Sequence, residues 1–155
     1  MTKILFIGLG TMGYPMAGHL KSQGHDIQVY NRTVEKSEKW SREFDGQFIT
    51  DLILHVKNYD IICACVGNDD DVRELVASER GILKNMKHNS IFIDHTTASA
   101  SIEREMFSLA KKIKVGYLDA PVSGGEKGAQ DGKLTIMCGG EKDVYEKAKV
   151  VMDTY

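Results

Sequence analysis

Cysteine, proline and long apolar runs are all scarce in this sequence. Its 155 residues include three cysteines and two prolines, and no stretch approaches the length of a membrane span. An odd number of cysteines without a secretory-type leader favours free thiols, so we expect a cytoplasmic protein without a disulfide framework. Cys63 and Cys65, two apart in an apolar run, fit one buried face of a strand. No cysteine, histidine and acidic cluster has zinc spacing, and we predict no metal site.

An excess of either charge is also absent. The 22 acidic and 20 basic residues leave a net charge of −2 at pH 7. Such a balance provides no broad positive field for nucleic acid, so we expect neither a nucleic-acid nor a membrane partner. The hydrophobic content of 42% is enough for the core of one ordinary domain.

Short apolar runs alternate with helix-length amphipathic segments along the whole chain. Runs such as "KILFIG", "DIQVYN" and "YDIICACVG" are typical of buried strands, and segments such as "VEKSEKWSREF" are typical of helices. This alternation predicts one α/β domain over residues 1–155, of the Rossmann type, with a doubly wound, mostly parallel sheet and helices on both faces. The run "GQFIT" predicts a weak third strand, and "KLTIMCGG" predicts one more strand before a final helix.

A glycine motif, G-x-G-x-x-G, directly follows the first predicted strand. Gly8 permits a tight turn, Gly10 lets the backbone approach a pyrophosphate, and Gly13 allows the next helix to pack closely on the sheet. Free amides at the start of that helix would face the phosphates. A glycine-rich turn of another α/β protein, such as a methyltransferase, is the alternative. The predicted cofactor-binding residues in this loop are Gly8, Leu9, Gly10, Thr11, Met12 and Gly13.

The second predicted strand ends in "NRT" and not in an acidic residue. Sites that prefer NAD usually carry Asp or Glu here, where the carboxylate holds the ribose hydroxyls. Arg32 offers a fork of donors that suits a phosphate, and Thr33 adds a hydroxyl. We therefore assign Asn31, Arg32 and Thr33 to the cofactor site and predict NADP, with NAD as the alternative. An exposed loop arginine without a ligand is the other interpretation of Arg32.

Further polar motifs follow the later strands: "VGNDDDV", "DHTT" and "DAPVSGGEKGAQDGKLTIMCGG". In doubly wound sheets the ligand lies across the carboxyl ends of the strands, which is where these motifs fall. Together with "FIGLGTMGYPMAGHL" and "NRT", in this order, they resemble the β-hydroxyacid dehydrogenases, a family that includes 3-hydroxyisobutyrate dehydrogenase and 6-phosphogluconate dehydrogenase. The resemblance extends over essentially all 155 residues.

The resemblance implies further site residues. A serine followed by two glycines can present a hydroxyl and backbone amides to a carboxylate and its neighbouring oxygens. The residues implied beside the adenosine, ribose and nicotinamide of the cofactor are Val66, Gly67, Asp71 and Thr97. Those implied at the substrate are Thr97, Ser123, Gly124 and Gly125.

Several polar residues in these motifs have purely structural alternatives. The run from Asp69 to Asp71 could serve mainly to complement the dipole of the helix that it begins. Thr96 and Thr97 could cap the next helix. We interpret His95, a single histidine at a strand end, as structural and not as an acid–base group.

Oxidation of a hydroxyl by hydride transfer needs a group that accepts the hydroxyl proton. In the family that group is a lysine in a G-x-x-G-x-G-x-x-x-K-x-x-x-N stretch, and no lysine here has that context. We therefore predict no catalytic residue in this chain. We expect the NAD(P)-binding domain of an oxidoreductase acting on a small 3-hydroxy acid. The lysine and a helical, homo-oligomer-forming domain would lie beyond Tyr155, so the chain alone would turn over little. A stand-alone NADP sensor, or 6-phosphogluconate or succinic semialdehyde as the substrate, are the alternatives.

Overall fold

Six parallel strands form the main sheet in the computed structural model, which describes all residues from Met1 to Tyr155. The strands are β1 (Lys3–Ile7), β2 (Asp26–Tyr30), β3 (Gln47–Phe48), β4 (Ile61–Ala64), β5 (Ile91–Asp94) and β6 (Gly116–Asp119). Their order across the sheet is β3-β2-β1-β4-β5-β6, and every neighbouring pair is parallel. This order reverses direction between β1 and β4, as in dinucleotide-binding sheets, and confirms the predicted Rossmann-type fold.

Helices cover both faces of the sheet. Alternate residues of β1 point to opposite faces: Ile4 and Phe6 pack with one set of helices, whereas Leu5 and Ile7 pack with another. The longest helix has 13 residues, and no helix combines the length and apolar composition that a bilayer-spanning helix needs. The helices are α1 (Gly13–Ser22), α2 (Val34–Phe44), α3 (Leu52–His55), α4 (Asp69–Ala77), α5 (Ala100–Lys112), α6 (Gly125–Asp131) and α7 (Lys142–Met152).

Polar side chains cap three of these helices. Asp51 accepts a hydrogen bond from the amide of Leu54 at the start of α3, and Asn68 accepts one from the amide of Asp71 in α4. Ser99 caps α5, so the alternative in which Thr96 and Thr97 cap this helix is wrong. Thr33 occupies the cap position of α2, but its side chain makes no capping hydrogen bond.

The predicted strand in "KLTIMCGG" does not join the main sheet. Its residues Thr135–Ile136 form β8, which pairs antiparallel with β7 (Val122–Ser123) in a separate two-stranded sheet. The predicted strand is therefore confirmed, but it belongs to this small sheet and not to the main one. The chain between β7 and β8 holds only the seven-residue α6, which is too short for the crossover that a parallel pair requires.

Cys63 and Cys65 pack on the same face of the sheet, as predicted, whereas Cys138 is exposed. Cys63 is buried in the same cluster as Phe6, and the partly buried Cys65 packs against that cluster. Burial raises the pKa of the Cys63 thiol to about 12, so this side chain is an unreactive part of the core.

Candidate functional site

The predicted site residues follow the carboxyl ends of β1, β2, β4, β5 and β6, which share one edge of the parallel sheet. Because β1 lies between β2 and β4, the glycine loop after β1 is flanked by the loop that carries Arg32 and the loop that carries Asp71. The hairpin that carries Ser123 follows β6, at the far side of the same edge. This edge is therefore the candidate site.

Two of the three motif glycines are required by packing. Gly8 has φ +96°, and a Cβ there would lie 2.1 Å from the carbonyl oxygen of Cys65. A Cβ at Gly13 would lie 2.0 Å from the carbonyl oxygen of Gly8. Gly10 differs, because a Cβ there would have no heavy atom within 4 Å. The protein itself leaves the space beside Gly10 open, which is the condition for a ligand to approach the backbone.

Asn31 joins the glycine loop to the loop after β2. Its Oδ1 accepts a hydrogen bond of 2.9 Å from the amide of Leu9, and its Nδ2 donates one of 3.0 Å to the carbonyl oxygen of Thr33. Leu9 is itself buried. The Leu9 amide is therefore already used within the protein, and both Leu9 and Asn31 hold the loop in position.

The next three backbone amides are free. The N–H groups of Gly10, Thr11 and Met12 have no hydrogen-bond acceptor in the protein, although they stand at the start of α1. Gly10 and Thr11 are exposed. Unpaired amides at a helix N-terminus attract anions, so these three are the candidate donors for an anionic ligand.

Basic side chains lie beside this loop, and two of them were missed in the sequence. Lys36 and Lys39 line a cleft of about 660 Å³ together with Gly10 and Thr11. Lys36 lies in the first turn of α2, four residues after Arg32 in the sequence, and this closeness to Arg32 is the signal that could have identified it. Arg32 is 87% exposed. Glu43 and Glu126 line the same cleft, so the two lysines add hydrogen-bond donors beside the candidate anion site but no net positive charge.

Thr96 and Thr97 have different environments at the end of β5. The buried Thr96 accepts a hydrogen bond of 3.0 Å from the amide of Val66, and its own amide donates one of 2.9 Å to Asp94. Thr96 and Val66 thus join the loops after β4 and β5. Thr97 is exposed and its hydroxyl makes no hydrogen bond within the protein, so it remains free for a ligand.

Two buried carboxyl groups, Asp94 of β5 and Glu103 of α5, meet at the hydroxyl of Tyr117 in β6. This cluster was not predicted from the sequence. The Tyr117 hydroxyl lies 2.9 Å from Glu103 Oε2 and 3.3 Å from Asp94 Oδ2. Burial, followed by the charge of Asp94, raises the pKa of Glu103 to about 9; burial also raises the pKa of Asp94. Glu103 is therefore a neutral acid at pH 7. No group of three or more acidic, histidine or cysteine residues is arranged to hold a metal ion.

His95 is enclosed by hydrogen bonds. Its Nδ1 lies 2.7 Å from the carbonyl oxygen of Ala120, which can only accept, so Nδ1 carries the proton and donates. Its Nε2 then accepts from the Tyr155 hydroxyl, 2.7 Å away. Burial lowers the pKa of His95 to about 4. The side chain is 1% exposed, neutral and structural, as the sequence indicated.

A Tyr155→Phe variant should lose about 1–3 kcal/mol of unfolding free energy, because it leaves the buried Nε2 of His95 without a donor. Urea denaturation followed by circular dichroism measures this loss. The control is Tyr145→Phe, since the hydroxyl of this partly buried tyrosine makes no hydrogen bond within the protein. Equal stability of the two variants would contradict the assigned hydrogen bond.

The hairpin residues Ser123, Gly124 and Gly125 are exposed, and no hydrogen bond joins them to Thr97. Gly124 and Gly125 have φ +139° and +65°, a backbone that carries a side chain only under strain. The following helix α6 is held against α1 by His19, whose Nε2 lies 2.9 Å from the carbonyl oxygen of Ala129. The candidate substrate loop is thus attached to the helix that begins at the glycine loop.

Comparisons with known proteins identify the family and the fold. Residues 3–155 match the family described as the NAD binding domain of 6-phosphogluconate dehydrogenase. An uncharacterised oxidoreductase of Shewanella frigidimarina is 46% identical over all of this chain and 53% of its own length. A structure of the 3-hydroxyisobutyrate dehydrogenase of Mycobacterium tuberculosis with L-serine has a TM-score of 0.90 and 29% identity, covering 99% of this chain and 52% of that one. A structure of Psf3 in complex with NADP+ and 2-OPP has a TM-score of 0.92, 24% identity and coverage of 98% and 54%. The chain spans about half the length of these relatives.

Proposed function

This chain belongs to the family of NAD-binding domains of 6-phosphogluconate dehydrogenase, and from that premise we propose that residues 1–155 are the dinucleotide-binding domain of an oxidoreductase acting on a small 3-hydroxy acid. The observation that carries the proposal is the set of free amides at Gly10, Thr11 and Met12, beside a glycine that leaves its space open. Any helix leaves its first amides unpaired; what supports a ligand here is that these amides lie at the carboxyl end of the parallel sheet, beside a glycine with open space.

The diphosphate would be bound by these three amides, at the positive end of α1. Gly8 and Gly13 hold the turn in shape, while Leu9 and Asn31 fix it to the loop after β2. In the same proposal Val66 and Gly67 border the adenosine.

The proposed cofactor is NADP, with NAD also accepted. Arg32 and the free hydroxyl of Thr33 stand where a ribose 2′-phosphate would lie, and Lys36 adds a second positive charge. No carboxylate occupies the end of β2 to repel that phosphate. The Psf3 structure, which contains NADP+, has the same fold.

At the other end of the cofactor, Thr97 would lie beside the nicotinamide, and Thr97, Ser123, Gly124 and Gly125 would bind the carboxylate of the substrate. The nicotinamide supplies the hydride acceptor or donor when it is bound. In this proposal the proton-accepting lysine and the homo-oligomer contacts belong to the half of the relatives that this chain does not span. We favour a substrate like 3-hydroxyisobutyrate. The alternative substrates are 6-phosphogluconate and succinic semialdehyde.

Titration of the chain with NADPH and NADH, followed by fluorescence or calorimetry, tests the proposal. An Arg32→Ala variant should weaken NADPH binding by about 1.5–3 kcal/mol, roughly 10- to 150-fold, because it removes a charged hydrogen bond to the phosphate. NADH binding should change little.

The matched control is Arg80→Ala, which removes an equally exposed positive charge after the far end of α4. It should change neither affinity. Equal losses for NADPH and NADH in Arg32→Ala would reject the phosphate contact, and no binding of either dinucleotide by the wild type would reject the proposed function.

A further inference from the structure

Arg32 faces a carboxylate from the neighbouring loop. Its Nη1 lies 4.0 Å from Oδ1 of Asp71, which is ion-pair distance, and the guanidinium makes no hydrogen bond within the protein. Arg32 follows β2 and Asp71 follows β4, the two strands on either side of β1. The pair therefore spans the glycine loop at the place proposed for the adenosine ribose.

Asp71 differs in its partners from the two aspartates before it. Asp69 accepts hydrogen bonds from the amide and hydroxyl of Ser99, at the start of α5. Asp70 lies 3.7 Å from Arg73 in its own helix and is 96% exposed. Asp71 alone of the three faces Arg32. All three carboxylates lie in the first turn of α4 and can complement its dipole, so the dipole does not distinguish Asp71 from the others, whereas the contact with Arg32 does.

The Asp71 carboxylate lies against the loop that follows β4. Its Oδ2 would lie only 2.4 Å from a Cβ at position 67, so it rests against the bare backbone of Gly67. The amide of Asp71 donates a hydrogen bond of 3.0 Å to the capping Asn68. Only a third of the side chain is exposed, in contrast with that of Asp70.

We propose that Asp71 is a specificity-determining residue that reduces the preference for NADP over NAD set by Arg32. This inference rests on the proposed function. A ribose 2′-phosphate carries about −1.5 to −2 charges at pH 7. Bound at Arg32 it would stand close to the Asp71 carboxylate, which repels it and competes for the same guanidinium. The ribose hydroxyl of NAD carries no such charge and can donate a hydrogen bond to a carboxylate, as it does at the acidic residue of NAD-preferring sites.

An Asp71→Asn variant keeps the shape of the side chain and removes its charge. Its affinity for NADPH should rise roughly five- to tenfold relative to its affinity for NADH, and the gain should shrink at high salt. Asp70→Asn makes the same change of charge one residue earlier in the same helical turn, so it controls for the helix dipole and for net charge. It should leave the ratio of the two dissociation constants unchanged.

An unchanged or lowered NADPH preference in Asp71→Asn would overturn the inference while leaving the proposed function intact, provided that the wild type binds both dinucleotides. An equal gain in Asp70→Asn would overturn it too, because a general charge effect would then suffice. A wild type that binds neither dinucleotide would overturn the inference together with the proposed function on which it depends.

Discussion

A Gly10→Ala variant is expected to fold as the wild type does and to lose most of its affinity for NADPH. A Cβ at position 10 would meet no protein atom within 4 Å, and the backbone there does not have the positive φ that strains an alanine. Under the proposed function the methyl group would stand where the diphosphate approaches the free amides. We expect affinity to fall roughly 100-fold, about 2.7 kcal/mol, in a fluorescence titration. The unfolding free energy should stay constant or rise by up to about 1 kcal/mol.

The matched control is Gly8→Ala, two residues earlier in the same loop. There φ is +96°, and the added Cβ would lie 2.1 Å from the carbonyl oxygen of Cys65. We expect this variant to lose roughly 3 kcal/mol or more of stability, or not to fold. The two substitutions therefore separate folding from binding within one motif. A folded Gly10→Ala protein that binds NADPH as the wild type does would contradict the placement of the diphosphate at this loop.

The main sheet could be predicted because its strands have local signatures. The segment "KILFI" is apolar on both faces, and the structure buries Ile4 and Phe6 on one side and Leu5 and Ile7 on the other. Helix α6 had no such signature. It contains Gly125 and Gly128 within seven residues and is followed by Gly132, so its intrinsic helix propensity is low. It is held in place by His19, 110 residues away from Ala129, through a contact that no local pattern predicts.

The sequence allowed us to predict which residues belong to the candidate site, but not which of them contact one another. The type and place of Arg32 are visible in the sequence, whereas its partner Asp71 becomes visible only when β2 and β4 lie on either side of β1. Asn31 was predicted as a cofactor ligand. The structure uses its side chain first to tie Leu9 to the loop after β2, a role that depends on the position of one backbone amide.

Glu103 was overlooked because it has the character of an ordinary acidic residue in the first turn of a helix. Its spacing to Met106 and Ala110 nevertheless places it on the buried face of α5, and all three are buried in the structure. This position on the apolar face of the helix was the signal that could have predicted the burial of Glu103. An acid on that stripe has to be neutralised or to stay protonated, since burial penalises its charged form.

The unfolding free energy is expected to fall as the pH rises from about 6.5 to 9, and Glu103→Gln should remove most of that fall. The raised pKa of Glu103, about 9, means that the folded protein keeps a proton that the unfolded chain releases above its ordinary pKa. The contribution of this proton to the unfolding free energy is therefore complete at low pH. It is lost as the pH rises through the folded pKa, by at most about 1.4 kcal/mol per pH unit. His95, with its pKa lowered to about 4, has the opposite effect below about 6.5, so the two effects offset each other there.

Glutamine isolates the titration because it keeps the size of Glu103 and an oxygen for the Tyr117 hydroxyl, while it cannot ionise. Denaturation at several pH values gives the slope for each protein. Glu105→Gln is the control: it removes an exposed acid of the same helix, 3.1 Å from Arg73, and should keep the wild-type slope above pH 6.5. If Glu103→Gln kept that slope as well, Glu103 would not be the group that holds the extra proton of the folded protein. Asp94, the other buried carboxyl beside Tyr117, would then be the group that binds it.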